Sequence, residues 1–190
     1  LAKSQKELQN KIFNILSNIP NIAHEDVPIG QDEKTNKLMY SNGNIRKFDF
    51  PIKSHVDIGE KNNQIDFKNS SKLSGSRFVI LNRNFALLER ALINFMLDTH
   101  VNKFSYKEIS PPLLVNENVM FGTGQLPKFE EDQFEIRLSK EEKRKFLIPT
   151  AEVVLTNLVR DSVIDSKQLP LRYVAATPCF RKEAGSYGKD

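Results

Sequence analysis

Residues 171–188 read Leu-Arg-Tyr-Val-Ala-Ala-Thr-Pro-Cys-Phe-Arg-Lys-Glu-Ala-Gly-Ser-Tyr-Gly, an apolar stretch followed by charged residues and a glycine-punctuated loop. The first six residues, 171–176, predict a strand. If extended backbone continues through Phe180, Arg181 and Glu183 leave it on the same face, because side chains alternate along a strand. A mutual ion pair is the simpler interpretation. The alternative is that Arg181 binds a phosphate through its planar guanidinium and Glu183 hydrogen-bonds an amine or a base edge.

A second polar group stands upstream, where an apolar run changes into a helical pattern. Leu147-Ile148 leads into Pro149-Thr150-Ala151-Glu152, and residues 153–159 predict a helix. Thr150 as N-cap and Glu152 in the first turn, favoured by the helix dipole, explain the segment without any ligand. The alternative is the edge of a pocket that offers a hydroxyl and a carboxylate to a small cationic ligand.

The clearest helix is predicted over residues 85–101, with Asn84 as its N-cap. Its apolar stripe is wider than that of an ordinary surface helix, so it is either deeply buried or faces another subunit. Residues 1–19 predict another helix with an a/d seam, which Pro20 ends. This helix is either amphipathic and packed on a core or the end of a coiled-coil arm.

The remaining patterns are shorter and mixed. Strands are predicted over residues 77–81 and over residues 104–115, the latter interrupted by Pro111-Pro112, and a solvated loop or hairpin over residues 130–145. Residues 122–129, Gly-Thr-Gly-Gln-Leu-Pro-Lys-Phe, lack the Gly-Lys-Ser/Thr of a P-loop, which favours a structural turn. Strands and helices alternate without a steady β-α-β rhythm, which favours an α+β fold on a mainly antiparallel sheet.

Composition excludes several classes of protein. With 190 residues, 39% hydrophobic and 27% charged, the chain is neither disordered nor collagen-like. We expect no transmembrane helix, no secretory signal in this segment and no structural zinc site. The single cysteine fits a reducing, cytoplasmic compartment. A net charge of +4 is compatible with nucleic-acid binding but does not establish it.

Taken together, these segments resemble the seryl-tRNA synthetases of bacterial or organellar type. Their order and spacing carry the resemblance more than any one of them does. They are Pro20-Asn21, Val27-Pro28, His55–Glu60, Ile65-Asp66-Phe67, Gly75–Phe78, Leu88–Leu92, Phe121–Phe129, Pro149–Glu152 and Thr177–Ser186.

The resemblance implies a class II synthetase fold: an incomplete antiparallel sheet flanked by helices, preceded by the end of a coiled-coil arm. Residues 1–20 are then the C-terminal end of the tRNA-binding arm, and residues 21–190 the N-terminal part of the catalytic domain. The region from Phe85 to Pro112 resembles motif 1, which forms the homodimer interface in the family. Residues 180–183 resemble motif 2, and residues 185–190 the loop that reaches the tRNA acceptor end.

The resemblance also implies the chemistry: ATP-dependent activation of serine to seryl-adenylate, followed by transfer to tRNA(Ser). Arg181 and Glu183 are the implied catalytic residues, and together with Lys182 they are implied to bind ATP. Thr150, Ala151 and Glu152 match the serine-binding segment. Mg²⁺ is expected to bridge the phosphates, but the acids that hold it are not identifiable in this segment, and no metal ligand is assigned.

The chain departs from the family pattern at its end. Motif 3, with its Gly-x-Gly-x-x-Arg, does not occur in residues 1–190, so we expect this segment by itself to be inactive. Two other readings stay open: a paralogue that charges a carrier protein instead of tRNA, and a non-catalytic module with the same fold.

Overall fold

The computed structural model describes residues 2–137 and 143–182 and divides the chain into two compact units, residues 1–82 and residues 83–190. The helices are α1 (Ala2–Leu16), α2 (His55–Lys61), α3 (Phe67–Ser74), α4 (Asn84–Phe104), α5 (Glu117–Gly122) and α6 (Glu152–Asn157). The strands are β1 (Ile65–Asp66), β2 (Ile80–Leu81), β3 (Lys107–Glu108), β4 (Leu114–Asn116), β5 (Glu135–Ile136), β6 (Lys145–Leu147) and β7 (Tyr173–Val174). Short 3₁₀ turns occupy Glu33–Thr35, Glu130–Asp132 and Ser166–Gln168.

In the first unit, local side-chain contacts fix the two short helices. Ser54 and Asp57 form a capping box at α2, in which the Asp57 N–H donates to Ser54 Oγ at 3.1 Å and the Ser54 N–H to Asp57 Oδ2 at 3.1 Å. Asp66 caps α3 by accepting the Asn69 N–H at 2.8 Å. The Ser54 hydroxyl, which donates to Asp57 Oδ2 at 2.8 Å, and then the Ser54 N–H hold the pKa of Asp57 below the ordinary value. The Asn69 N–H and then its side chain do the same for the pKa of Asp66.

The first unit buries little apolar surface. β1 pairs antiparallel with β2, and Ile65 of β1 packs over the buried Gly59 of α2, where an added Cβ would lie 2.4 Å from Ile65 Cδ1. Every residue from 18 to 55 is exposed. Of the strand predicted over residues 77–81, only Ile80–Leu81 is a strand in the structure. Arg77 adopts a positive φ of 70°, and strand pairing begins only at Ile80.

The predicted first helix is confirmed over most of its length and ends at Leu16, three residues early. Asn18 and Ile19 then form i→i−3 hydrogen bonds that tighten the chain before Pro20. The apolar seam of α1 is exposed: Leu8, Ile12 and Ile15 each leave more than half of their surface accessible. The boundary between arm and catalytic domain at residue 20 stays a prediction.

The second unit contains a three-stranded antiparallel sheet in the order β4–β6–β5. Its core is formed by Val115, Met120, Leu126, Phe146, Ile148, Val153 and Val154. These residues come from β4, α5, the turn after α5, β6 and α6, so the core joins the sheet to two helices. Burial of these side chains is the main force that fixes the segment after β6.

The helix predicted over residues 85–101 is α4, which runs from Asn84 to Phe104. Asn84 is not its N-cap: Arg83 occupies that position with φ 51°, and no side chain caps the helix. The prediction of one strand over residues 104–115 is also wrong in detail, because α4 extends through Phe104 and only 107–108 and 114–116 are strands. Pro111-Pro112 separates the two strands, since proline donates no ladder hydrogen bond.

Two further predictions change in extent. The strand predicted over residues 171–176 is limited to β7, which pairs in parallel with β3 rather than antiparallel. The charged stretch of residues 130–145 contains an antiparallel pair, β5 with β6, as expected of a hairpin, while residues 138–142 lie outside the described residues. No helix in the described part of the chain is long and apolar enough to cross a membrane.

Candidate active site

The base of the site is the end of β6. Phe146 and Ile148 are fully buried, and the Ile148 N–H donates to Leu113 O at 2.9 Å. Pro149 is also buried. Because these residues are held in the core, Thr150–Glu152 start from a rigid support, as a binding segment requires.

Residues 180–182 lie along this support. The Phe180 N–H donates to Ile148 O at 2.9 Å, and the Lys182 N–H donates to Asp132 O at 3.0 Å. The backbone on either side of Arg181 is therefore bonded to two different segments. This arrangement fixes the backbone position from which the Arg181 side chain projects.

The Arg181 side chain contacts the other predicted segment directly. Its Nε donates to Pro149 O at 3.1 Å, which places the guanidinium beside the residue that precedes Thr150. Within the described residues, its two Nη groups donate to no protein acceptor and no carboxylate pairs with it. Among the described residues, Pro149 O is thus the acceptor for the Arg181 side chain, and a planar guanidinium is a group that can bind an anionic oxygen pair.

The predicted partner of Arg181 is Glu183. Glu183 lies outside the described residues, as does the predicted tRNA-facing loop of residues 185–190. The choice between an internal ion pair and a ligand-binding role for Glu183 therefore stays a prediction.

The predicted capping role of Thr150 is wrong. Ala151 stands at the N-cap of α6 in helical conformation, and no side chain caps the helix. Thr150 contributes only its carbonyl, which accepts the Val153 N–H at 3.3 Å, so its half-buried hydroxyl makes no hydrogen bond in the described chain. The hydroxyl is thus available to a ligand.

Glu152 begins α6 at the edge of a cavity of about 570 Å³. The cavity lies between α6 and β7 and is lined by Glu152, Leu155, Thr156, Val159, Leu171, Tyr173, Val174 and Ala175. Most of this lining is apolar, and among the described residues that line the cavity the exposed Glu152 supplies the one carboxylate. An ammonium group is the ligand that such a carboxylate attracts.

Residues 122–129 form a structural turn after α5. The Gly124 N–H donates to Phe121 O and the Gln125 N–H to Met120 O, both at 3.0 Å, and Gly124 has a φ of 73°. Leu126 then enters the core. These backbone bonds explain the glycine at position 124 and the apolar residue at 126 without a bound phosphate.

Two supporting residues were missed by sequence reasoning. Asn157 joins α6 to α5 through its Nδ2, which donates to Val119 O at 3.0 Å and Val153 O at 2.8 Å. Arg144, inside the stretch interpreted as solvated, binds three glutamates. Neither could be found from spacing, since Asn157 reaches Val119 over 38 residues and Arg144 reaches Glu117 over 27.

Metal ligands are not gathered in the described residues: no group of three or more His, Cys, Asp or Glu side chains could hold an ion there. Within residues 2–137 and 143–182, no side chain is assigned as a Mg²⁺ ligand.

Known proteins are similar to this chain in sequence. The family model of the class II tRNA synthetase core domain (G, H, P, S and T) matches residues 131–189, which include β6, α6 and Arg181. A serine–tRNA ligase of Pelagibacter ubique is 57% identical over 190 residues, covering 100% of this chain and 45% of that protein. One from Wolbachia pipientis is 52% identical, covering 99% of this chain and 43% of that protein.

Solved structures give the same result for the fold. The seryl-tRNA synthetase of Pyrococcus horikoshii, complexed with ATP, superposes with a TM-score of 0.86 and 34% identity, covering 100% of this chain and 46% of that one. The cytoplasmic serine–tRNA ligase of Naegleria fowleri, complexed with AMP, gives a TM-score of 0.84 and 27% identity, covering 100% and 44%. This chain spans less than half of the length of these relatives. Over that length, the predicted resemblance to the seryl-tRNA synthetases of class II is confirmed in both sequence and fold.

Proposed function

We propose that the natural-length protein containing this chain is a serine–tRNA ligase. The observation that carries the proposal is the 3.1 Å hydrogen bond from Arg181 Nε to Pro149 O, which brings the anion-binding guanidinium to the start of the Thr150–Glu152 segment. One site can then hold a phosphate and an amino acid side by side. The relatives from Pelagibacter ubique and Wolbachia pipientis are both named serine–tRNA ligases.

The proposed reaction needs no nucleophile from the protein. A carboxylate oxygen of serine attacks the α-phosphorus of ATP, the bond to the β-phosphate oxygen breaks, and pyrophosphate leaves. A ribose hydroxyl at the tRNA 3′ end then attacks the seryl carbonyl carbon, and AMP leaves. The work of the protein is positioning and stabilisation of charge.

Each residue has a proposed role in the first step. Arg181 binds the α-phosphate and the serine carboxylate and stabilises the added negative charge in the transition state. Lys182 and Glu183 complete the ATP site, with Glu183 at the adenine end. Glu152 binds the serine ammonium, and the unbonded Thr150 hydroxyl with the Ala151 backbone meets the other polar groups of serine.

The proposal includes partners and surroundings. Mg²⁺ is proposed to accompany ATP, with ligands outside the described residues. We propose a homodimer formed through the region from Phe85 to Pro112, because α4 exposes Leu88, Leu92 and Phe95 and buries none of its residues within the described chain. We also propose a cytoplasmic location for the protein.

The test is amino-acid-dependent ATP–pyrophosphate exchange by the natural-length protein, with serine, threonine, alanine and glycine in parallel. We expect exchange with serine. Arg181→Lys keeps the charge but loses the planar fork, so we expect exchange to fall by a factor of about 10²–10³, as for other preorganised donors. Absence of exchange with all four amino acids from a folded protein contradicts the proposal. Serine exchange without charging of tRNA favours the carrier-protein paralogue.

A further inference from the structure

Arg144 lies immediately before β6 and binds side chains from three segments. Its Nη1 donates to Glu117 Oε1 at 2.8 Å, and its Nη2 donates to Glu135 Oε2 at 2.9 Å and to Glu130. Its guanidinium carbon also lies 5.0 Å from the ring centroid of the buried Phe146. One side chain therefore ties together α5, the Glu130–Asp132 turn, β5 and β6.

The electrostatics of this cluster favour a fixed geometry. Burial works to lower the pKa of Arg144, but the hydrogen bonds to Glu135 and Glu130 outweigh it and raise the pKa above the ordinary value. Hydrogen bonds from Arg137 and then Arg144 hold the pKa of Glu135 below its usual range. The Arg144 side chain is 24% exposed, so its ion pairs are less screened than those of the 62% exposed Arg137.

The Glu130–Asp132 turn, which Arg144 holds, also contains the carbonyl that accepts the Lys182 N–H. Glu130 supplies the carboxylate that Arg144 binds, and Asp132, two residues later, supplies the carbonyl that accepts the Lys182 N–H at 3.0 Å. The Gln133 N–H closes the turn by donating to Glu130 O at 3.2 Å. The carboxylate that Arg144 binds and the carbonyl that accepts the Lys182 N–H therefore belong to one short turn.

We propose that Arg144 is a positioning residue for Arg181, acting through the Glu130–Asp132 turn and the Lys182 N–H. Two backbone bonds flank Arg181: the one from Lys182 goes to the turn that Arg144 holds, and the one from Phe180 goes to Ile148 O in the core. The kinetic consequence rests on the proposed function, whereas the structural consequence does not.

The structural test is amide hydrogen exchange of the natural-length protein. Arg144→Gln should speed exchange of the Lys182 amide by about tenfold or more and leave the Phe180 amide within about twofold, because only the first bond loses its support. Arg137→Gln is the matched control: it also removes a bond to Glu135 but leaves Glu130 held. It should change neither amide.

Two further variants cover the case in which Arg144→Gln does not fold. Glu130→Gln removes the same contact from the other side and should act like Arg144→Gln on the Lys182 amide. Arg144→Lys keeps the charge but cannot bind three carboxylates in a planar fork, so it should give an intermediate rate. Unchanged Lys182 exchange in Glu130→Gln and Arg144→Lys overturns the proposal, as does an equal effect of Arg137→Gln.

The kinetic test is serine-dependent exchange by the same variants. A misplaced Arg181 weakens the transition state more than substrate binding, so Arg144→Gln should lower kcat about tenfold with KM for serine within about twofold. An unchanged kcat beside an active wild type overturns this inference and leaves the proposed function intact. If the wild type itself shows no exchange, the proposed function fails, and the Lys182 amide still decides the positioning role.

Discussion

At the residue scale, Gly122 shows how a contact distant in sequence restricts one position of the 122–129 turn. A Cβ added to Gly122 would lie 2.6 Å from Asn157 Oδ1, closer than real Cβ atoms approach. Asn157 cannot move aside without cost, since its side chain donates to Val119 O and Val153 O and accepts from Arg160 Nη1. Glycine is therefore required by packing here and not by a bound phosphate.

We expect Gly122→Ala to reduce the free energy of unfolding by about 1–3 kcal/mol, the usual cost of forcing extra volume into a packed contact. Chemical denaturation measures it. Asn157→Ala removes the clash, so the same glycine substitution should cost clearly less in that background, and a double-mutant cycle gives the coupling. Equal costs in both backgrounds would show that the contact with Asn157 is not the cause.

At the element scale, α3 depends on its cap more than on packing. Asp66 Oδ1 accepts the Asn69 N–H at 2.8 Å, and Asp66 Oδ2 accepts Asn69 Nδ2 at 2.6 Å. Ser70 is the buried residue of this short helix. An isolated helix of this length is unstable in water, so the bonds at its start matter. The lowered pKa of Asp66 means that the folded state prefers the carboxylate.

We expect Asp66→Ala to lower the thermal midpoint by a few degrees at pH 7, measured by circular dichroism. Because the pKa in the folded state is below the unfolded value, the contribution of Asp66 is fully present above the ordinary pKa of 3.8 and is lost as pH falls through the folded value. The difference between wild type and variant should therefore shrink below about pH 4. Asp49→Ala, at an exposed aspartate, is the control, and a pH-independent difference argues against the charged cap.

At the scale of the whole molecule, α4 presents a large apolar surface that the described chain does not cover. Leu87, Leu88, Leu92, Ile93, Phe95, Met96 and Phe104 are all exposed. The sequence left two explanations for this stripe, deep burial or another subunit. Within the described residues no side chain of α4 is buried, which supports the proposed dimer.

We expect Phe95→Glu in the natural-length protein to shift the mass measured by light scattering from dimer towards monomer, because Phe95 is 65% exposed and a charge there cannot be paired across an apolar interface. Asn94→Glu adds the same charge to the same helix outside the apolar stripe and should leave the mass unchanged. A wild-type monomer, or a dimer that survives Phe95→Glu, contradicts an interface through this part of α4.

Sequence alone determined the features that depend on local or periodic signals. The long apolar pattern placed α4 to within three residues at its end, Pro20 marked the end of the first helix region, and the ordered motifs identified the family. Periodicity and motif spacing are properties of neighbouring residues, so they are readable without a fold. Boundaries were less well predicted, because a helix such as α4 can continue through a residue that also suits a strand.

Only the tertiary structure decided which residues meet. The bond from Arg181 to Pro149 joins positions 32 residues apart, and Arg144 reaches Glu117 over 27 residues. It also showed that Thr150 is not a cap and that Arg144 is not a solvated charge. Such contacts arise when burial of Phe146, Ile148 and Val153 brings β6 and α6 into one core, and no local pattern encodes that geometry.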